Sequence, residues 1–227
     1  MSRAGPRPSG RSSEREARLA VIETALEMSR RGLSPGRSGN VSCRHGGGML
    51  ITPTGLAYDT LQLEDIVRVA SDGSVPGRQR KPSSEWHFHL AVYAARPDLS
   101  ALVHTHALHA TVLACAHKPI PAFHYMVAVA GGSDIPLVPY ATFGSAELAR
   151  LVADGMRSRN ACLMANHGML AAGSSLLGAL ELAAEVEVLA EQYVKVLSLG
   201  AAHVLPPEEM ERVLERFRGY GQQNDGA

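Results

Sequence analysis

His104 and His106 stand one residue apart in LVHTHA, a spacing that suits metal chemistry. If the segment is a strand, alternate side chains share a face, so both rings point the same way, roughly 7 Å apart at the backbone, and can converge on one cation. A catalytic divalent ion usually takes three protein donors and leaves a position for water or substrate, so the pair needs a third. The candidates are His167, in the tight turn ANHG where a small following residue lets the backbone approach closely, and Glu85, at a helix start behind two serines. Without a third donor, the pair reads as two imidazoles satisfied by local hydrogen bonds.

Small polar clusters accompany these residues. Ser38, Gly39 and Asn40, then Thr54 and Gly55, then Ser83 and Ser84 each fall at an expected loop or helix start, where free backbone N–H groups can bind an anion. Together they have the composition of a phosphate cradle. Singly, each also fits ordinary turn and capping chemistry.

The elements that must position these groups follow from periodicity and punctuation. Ser13 and Glu16 have capping-box spacing, and Leu19, Ile22 and Leu26 continue at helical intervals until Gly32, which predicts a first helix. GRSGNVSCR reads as a turn into a strand, and MLITPTG as a short strand ending in a loop. Ser83 or Ser84 is expected to cap a helix through EWHFHLAVYAA, ended by Pro97. SALVHTHA reads as a strand, HATVLACAH as a short helix, DIPLVPY as a strand, and SAELARLVADGM as a helix begun by Ser145. ACLMANHGMLAAG reads as two strands hinged near Gly168. SSLLGALELAAEVEVLAEQYVKVLSL and PPEEMERVLERFRGY read as the last two helices, the second with proline in its first turn. Interspersed strands and helices, no internal repeat and no dividing linker predict one layered α/β domain over residues 14–221, with a disordered tail at 1–13 and a short tail at 222–227.

Composition narrows the partners. The 227 residues carry 22 Lys plus Arg against 22 Asp plus Glu, with no basic block, so no nucleic-acid footprint is expected. Cys43, Cys115 and Cys162 are odd in number and widely spaced, which indicates neither a disulfide framework nor a thiolate zinc cluster and fits a reducing cytoplasm. No apolar run reaches membrane-spanning length, and no signal-peptide core opens the chain, so no membrane partner is expected.

GRSGNVSCR, ITPTG, KPSSEWHFHLAVYAARP, LVHTHA, PAFHYMVAVAGG, PYATFG and MANHGMLAAG occur in the order and spacing of the class II aldolase and adducin-head family. The chain resembles that family over about residues 17 to 221, with the nearest pattern among members of the L-fuculose 1-phosphate type. The resemblance implies a three-layer α/β/α domain around a mostly antiparallel sheet, assembled as a C4 homotetramer with sites between subunits. It implies one metal ion per subunit, usually zinc with Mn2+ or Co2+ as alternatives, held by His104, His106, His167 and Glu85. It also implies cleavage of a ketose 1-phosphate to dihydroxyacetone phosphate and a short aldehyde, L-lactaldehyde for L-fuculose 1-phosphate, through a zinc-stabilised enediolate. In this reading Glu85 leaves the metal and serves as acid and base at C3. Tyr125 reaches in from a neighbouring subunit, Tyr220 closes over the site, and Phe143 lies near the aldehyde.

The same family contains aldolases for 5-deoxypentulose 1-phosphates, sugar-phosphate 4-epimerases, dehydratases and the non-enzymatic adducin head, so these remain alternatives. The epimerases typically carry aspartate where Glu85 stands, which favours the aldolase. A structural zinc site in a binding module is usually closed and cysteine-rich, unlike three histidines with a displaceable carboxylate. Arg37 and Asn166 depart from the nearest pattern. His89 and His109 read as supporting or structural, and His87 as a surface residue.

Overall fold

The computed structural model describes residues 13–35 and 38–218. The first helix, α1 (Glu14–Arg30), begins as its capping box dictates: Ser13 Oγ accepts from the Glu16 N–H and Glu16 returns the bond to Ser13 N. Such a cap contributes about 1 kcal/mol. The buried stripe of α1 is Ala17, Val21, Ala25 and Met28 with Ile22, whereas Leu19 is exposed, so the expected face is rotated by part of a turn.

Seven strands form one sheet: β1 (Asn40–His45), β2 (Gly48–Ile51), β3 (Val67–Ala70), β4 (Ala101–Thr105), β5 (Leu137–Val138), β6 (Ala161–Met164) and β7 (Gly168–Gly173). Their spatial order is β3-β2-β1-β4-β7-β6-β5, and every pairing is antiparallel except β5 with β6. The remaining helices are α2 (Trp86–Ala95), α3 (Leu108–Cys115), α4 (Ala146–Gly155), α5 (Leu176–Ser198) and α6 (Pro207–Arg218). Alternation along each strand feeds two cores. Val41, Val103 and Ala171 pack with α1, α3 and α5, while Met49, Leu102 and Leu170 pack with α2 and α4. The result is the expected α/β/α layering around a mostly antiparallel sheet.

Several local expectations are refined. β4 ends at Thr105, so His106 is the first residue beyond it. The turn between β6 and β7 is Ala165, Asn166 and His167, and Gly168 already belongs to β7. The DIPLVPY strand shrinks to Leu137–Val138. β3 was not anticipated, because a four-residue VRVA run has little periodicity to read. Ser83 lies three residues before Trp86 and accepts from the Glu85 N–H at 3.3 Å, so Glu85 itself occupies the boundary of α2. Ser145 and Ser175 cap α4 and α5 through the N–H groups of Leu148 and Gly178.

Candidate metal centre and phosphate cleft

The central strand supplies the floor of the site. β4 lies between β1 and β7, and its alternation puts His104 on the side of α2, where the Phe88 ring meets it edge-on at 5.5 Å. His104 Nδ1 is 2.8 Å from the Met169 carbonyl oxygen, an acceptor, so Nδ1 carries a hydrogen and Nε2 is the nitrogen turned toward the cluster. That Nε2 is 3.1 Å from His106 Nε2 and 3.1 Å from Glu85 Oε2, while His167 Nε2 is 2.9 Å from Glu85 Oε1.

One nitrogen from each of His104, His106 and His167 lies within 4.8 Å of the other two. Tetrahedral donors about 2.0–2.1 Å from zinc lie about 3.3 Å apart, so this donor set fits a single divalent ion after small adjustments. The fixed orientation of His104 and the adjacent carboxylate strengthen the match.

Two glycines make the convergence possible. Gly39 has φ +101°, and a Cβ there would stand 2.6 Å from the His104 carbonyl oxygen, so a side chain would push β1 off β4. Gly168 lies so close to the end of β4 that a Cβ would stand 2.4 Å from the Thr105 carbonyl oxygen and 2.9 Å from His106 Cδ2. Asn166 takes φ +54°, a left-handed conformation that asparagine tolerates better than most residues, and its Oδ1 is 2.7 Å from His117 Nε2.

Above this floor opens a cleft of about 340 Å³. Ser38, Gly39, Thr54, Gly55, Ser83 and Ser84 line one wall, with Asn40 and Glu85 below them. The segments are tied together, Ser83 N donating to Thr52 O at 3.0 Å and Thr54 N to Lys81 O at 3.1 Å. Tyr140, Phe143 and Asn166 line the cleft as well, and Tyr140 and Phe143 are largely exposed there. His106 and His167 also reach the cleft, while His104 is fully buried. The three small polar clusters, Glu85, the three histidines and Phe143 are therefore gathered at one place. Tyr125 is not among them. It is half exposed at the start of a 3₁₀ turn, Tyr125–Ala130, and lines a separate apolar groove beside α6. Tyr220, Arg37 and the tails at 1–12 and 222–227 lie outside the described residues.

Asn40 has a further role that its sequence neighbours did not reveal. Its Nδ2 donates to Glu85 Oε2 at 3.0 Å, and its Oδ1 accepts from His89 Nε2 at 2.5 Å. His89 Nδ1 then accepts from Ser42 Oγ at 2.7 Å, and Ser42 Oγ accepts from Tyr93 Oη at 2.9 Å. Since the ionised carboxylate can only accept, Asn40 turns its oxygen to His89 Nε2, which donates; burial keeps His89 neutral, so its Nδ1 accepts and one direction runs through the whole chain. The signal was present in the alternation of β1, where Asn40 and Ser42 share a buried face and Asn40 pairs with His104. His87 is not a free surface residue: it is half buried and its ring stacks on Trp86 at 3.8 Å.

The charges respond to this packing. Burial alone would raise the Glu85 carboxyl, but the neighbouring His104 and His167 outweigh it and hold Glu85 well below the usual carboxylate range. Burial, followed by the His104 and His167 charges, pushes His106 down to about 4. His89 is pushed down to about 3, chiefly by burial and secondarily by His104.

The His89 shift predicts acid sensitivity. An unfolded histidine takes up a proton near pH 6.5, whereas folded His89 resists it until about pH 3, so the unfolded state binds more protons between these values. Stability from this residue is fully present above pH 6.5 and is lost as pH falls through that window, by about 1.4 kcal/mol per pH unit. Urea unfolding from pH 7 to pH 4 should show this slope, and a His89→Gln variant should show it reduced by one proton. An equal slope in the variant would assign the acid sensitivity elsewhere.

Comparisons with known proteins agree with this geometry. A family model described as Class II Aldolase and Adducin N-terminal domain matches residues 19–194. The chain is 53% identical over 204 residues to the 5-methylthioribulose-1-phosphate/5-deoxyribulose-1-phosphate aldolase of Rhodospirillum rubrum, covering 90% of this chain and 92% of that one. It is 51% identical over 203 residues to the L-fuculose phosphate aldolase of Haemophilus influenzae, covering 88% and 93% of the two chains. Among solved structures, an L-fuculose 1-phosphate aldolase superposes with a TM-score of 0.87 at 40% identity, covering 92% of this chain and 98% of that one.

Proposed function

The chain belongs to the class II aldolase and adducin N-terminal domain family and is an aldolase of the class II type, and from that premise we propose that it cleaves a ketose 1-phosphate of the L-fuculose 1-phosphate type, reversibly, to dihydroxyacetone phosphate and L-lactaldehyde. The observation that carries this reading is the joining of an open three-histidine cluster and a buried carboxylate to a cleft walled by serine, threonine and glycine.

His104, His106 and His167, with Glu85, would hold a divalent ion, zinc in our reading. Such an ion, when bound, supplies a positive charge that polarises the substrate ketone and stabilises the negative charge left at C3 when the C3–C4 bond breaks. The protein's own groups do the rest. Ser38, Gly39, Asn40, Thr54, Gly55, Ser83 and Ser84 would hold the phosphate and fix the distance from it to the reacting carbons. Glu85, ionised and anchored by Asn40, would take the proton from C3 of dihydroxyacetone phosphate in the condensation direction, and in cleavage, after gaining a proton from the cleft side, would deliver it to C3. Phe143 would flank the aldehyde end.

Tyr125 does not line the cleft of its own chain, which supports a homotetramer in which Tyr125 of a neighbouring copy handles the proton on the C4 hydroxyl. No helix among the described residues is long and apolar enough to cross a membrane, and the free thiols of Cys43, Cys115 and Cys162 accord with a cytoplasmic location.

A second reading changes only the aldehyde half. The Rhodospirillum rubrum relative is named for 5-methylthioribulose and 5-deoxyribulose 1-phosphates, and the aromatic rim of Tyr140 and Phe143 would accept an aldehyde with an apolar end. The two aldehydes, L-lactaldehyde and the acetaldehyde of 5-deoxyribulose 1-phosphate, differ by one CHOH unit, and one carbon more or less in such a pocket is worth only about 1–3 kcal/mol. The deciding measurement is the initial rate of dihydroxyacetone phosphate release, coupled to NADH oxidation, from L-fuculose 1-phosphate and from 5-deoxyribulose 1-phosphate. A rate abolished by chelation and restored by zinc is expected, with higher kcat/KM for the first substrate. The reverse preference would establish the second reading, and no release of either product from zinc-loaded protein would reject both.

A further inference from the structure

Helix α3 lacks a cap of its own. Ala107, at its N-cap position, has no side-chain oxygen, yet the first-turn N–H groups of any helix need acceptors. Glu187, far along the chain on α5, supplies them. Its Oε1 accepts from the His109 backbone N–H and its Oε2 from that of Ala110, each at 2.9 Å, and Oε1 lies 2.8 Å from His109 Nδ1. A carboxylate at this end of a helix is also favoured by the helix dipole.

The position matters because α3 begins two residues after His106. His104 is held by its own Nδ1 bond to the Met169 carbonyl, but the His106 ring, among the described residues, is hydrogen-bonded only within the cluster, to His104 Nε2. Its orientation therefore depends on the backbone that leads from the end of β4 into α3. Glu187 fixes the far end of that short span to α5, a long helix with buried Ala183, Val186, Leu189 and Ala190.

We propose that Glu187 is a positioning residue for the metal centre: by clasping the first turn of α3 it holds His106 in register with His104 and His167 and so sets the affinity for the ion. The inference rests on reading the three histidines as metal ligands.

The test is the affinity of the purified full chain for zinc and for cobalt, by competition with a chelator, in wild type, Glu187→Ala, Glu187→Gln and Ser145→Ala. Ser145 caps α4, which carries no proposed ligand, so its loss reproduces the removal of a cap without touching the cluster. Glu187→Ala should weaken both metals by roughly 10- to 100-fold, the usual range for groups that orient a ligand, and alter the visible absorption of the cobalt form. Glu187→Gln keeps an accepting oxygen and should fall between Ala and wild type. Ser145→Ala should lower thermal stability with wild-type affinity. Wild-type affinity in both Glu187 variants, or an equal loss in Ser145→Ala, would overturn the proposal. If Glu187→Ala does not fold, Glu187→Gln decides between the same outcomes. Failure of the wild type to bind either metal would remove the metal-centre reading itself, in an arm separate from every variant.

Discussion

Glu85→Gln is expected to lower kcat by roughly 10²- to 10⁴-fold, the range for loss of a positioned acid or base, while the protein folds and retains its metal. The substitution is nearly isosteric, and the new amide oxygen can still accept from Asn40 Nδ2, now 3.0 Å from Glu85 Oε2. Three imidazoles remain to hold the ion. What disappears is the capacity to take a proton. In the present arrangement burial works against the charge of Glu85, but His104 and His167 prevail and keep the carboxylate ionised, the form a base requires. Steady-state kinetics of dihydroxyacetone phosphate release, with metal content measured on the same samples, would check both halves of the expectation. Activity within tenfold of wild type at full metal loading would exclude Glu85 from the proton step.

Gly168→Ala should damage the site by a different route. The added methyl would sit 2.4 Å from the Thr105 carbonyl oxygen, a backbone atom of the central strand, and 2.9 Å from the His106 ring. Neither neighbour is the far end of a flexible side chain, so β7 must separate from the end of β4. Overpacking of this kind typically costs 1–3 kcal/mol. Here the strain falls on residues flanking His106 and His167, so the loss of metal affinity should reach at least the roughly tenfold that follows from about 1.4 kcal/mol. Chemical unfolding of the metal-free variant gives the first quantity, and chelator competition the second. A variant that loses stability but binds zinc like wild type would show that the close approach serves packing alone.

These expectations differ in how much of their basis could be read in the sequence. The capping box of Ser13 with Glu16 and the cap at Ser145 are local devices, decided within three residues, and were legible at once. So was the convergence of His104 and His106, which needs only a strand of known pleat, although His106 sits just past its end. The face of α1 was harder. Its apolar residues are numerous enough to suggest Leu19 as well as Val21, and only packing against the sheet selects the second. The support of the site was hidden for another reason. Asn40 meets His89 across 49 residues, and Glu187 meets Ala110 across 77, and no periodicity encodes such pairings. The family resemblance placed Glu85 and His167 beside the pair, but it gave no account of why Asn40 turns its amide toward Glu85 as well as lining the cleft.

The line of hydrogen bonds from Tyr93 through Ser42, His89 and Asn40 to Glu85 also settles where protons can travel. Every donor in it points toward the carboxylate, and each deeper member resists a change of charge: burial pushes His89 down to about 3 and pushes the Tyr93 hydroxyl well above its ordinary range. The protein interior behind Glu85 is thus a closed end, with no reservoir that could store or conduct a hydron. Whatever Glu85 takes from the substrate it can surrender only on the cleft side. In heavy water, label should enter C3 of dihydroxyacetone phosphate at a rate governed by how often the cleft mouth admits solvent, so isotope exchange becomes a clock for the opening of the site.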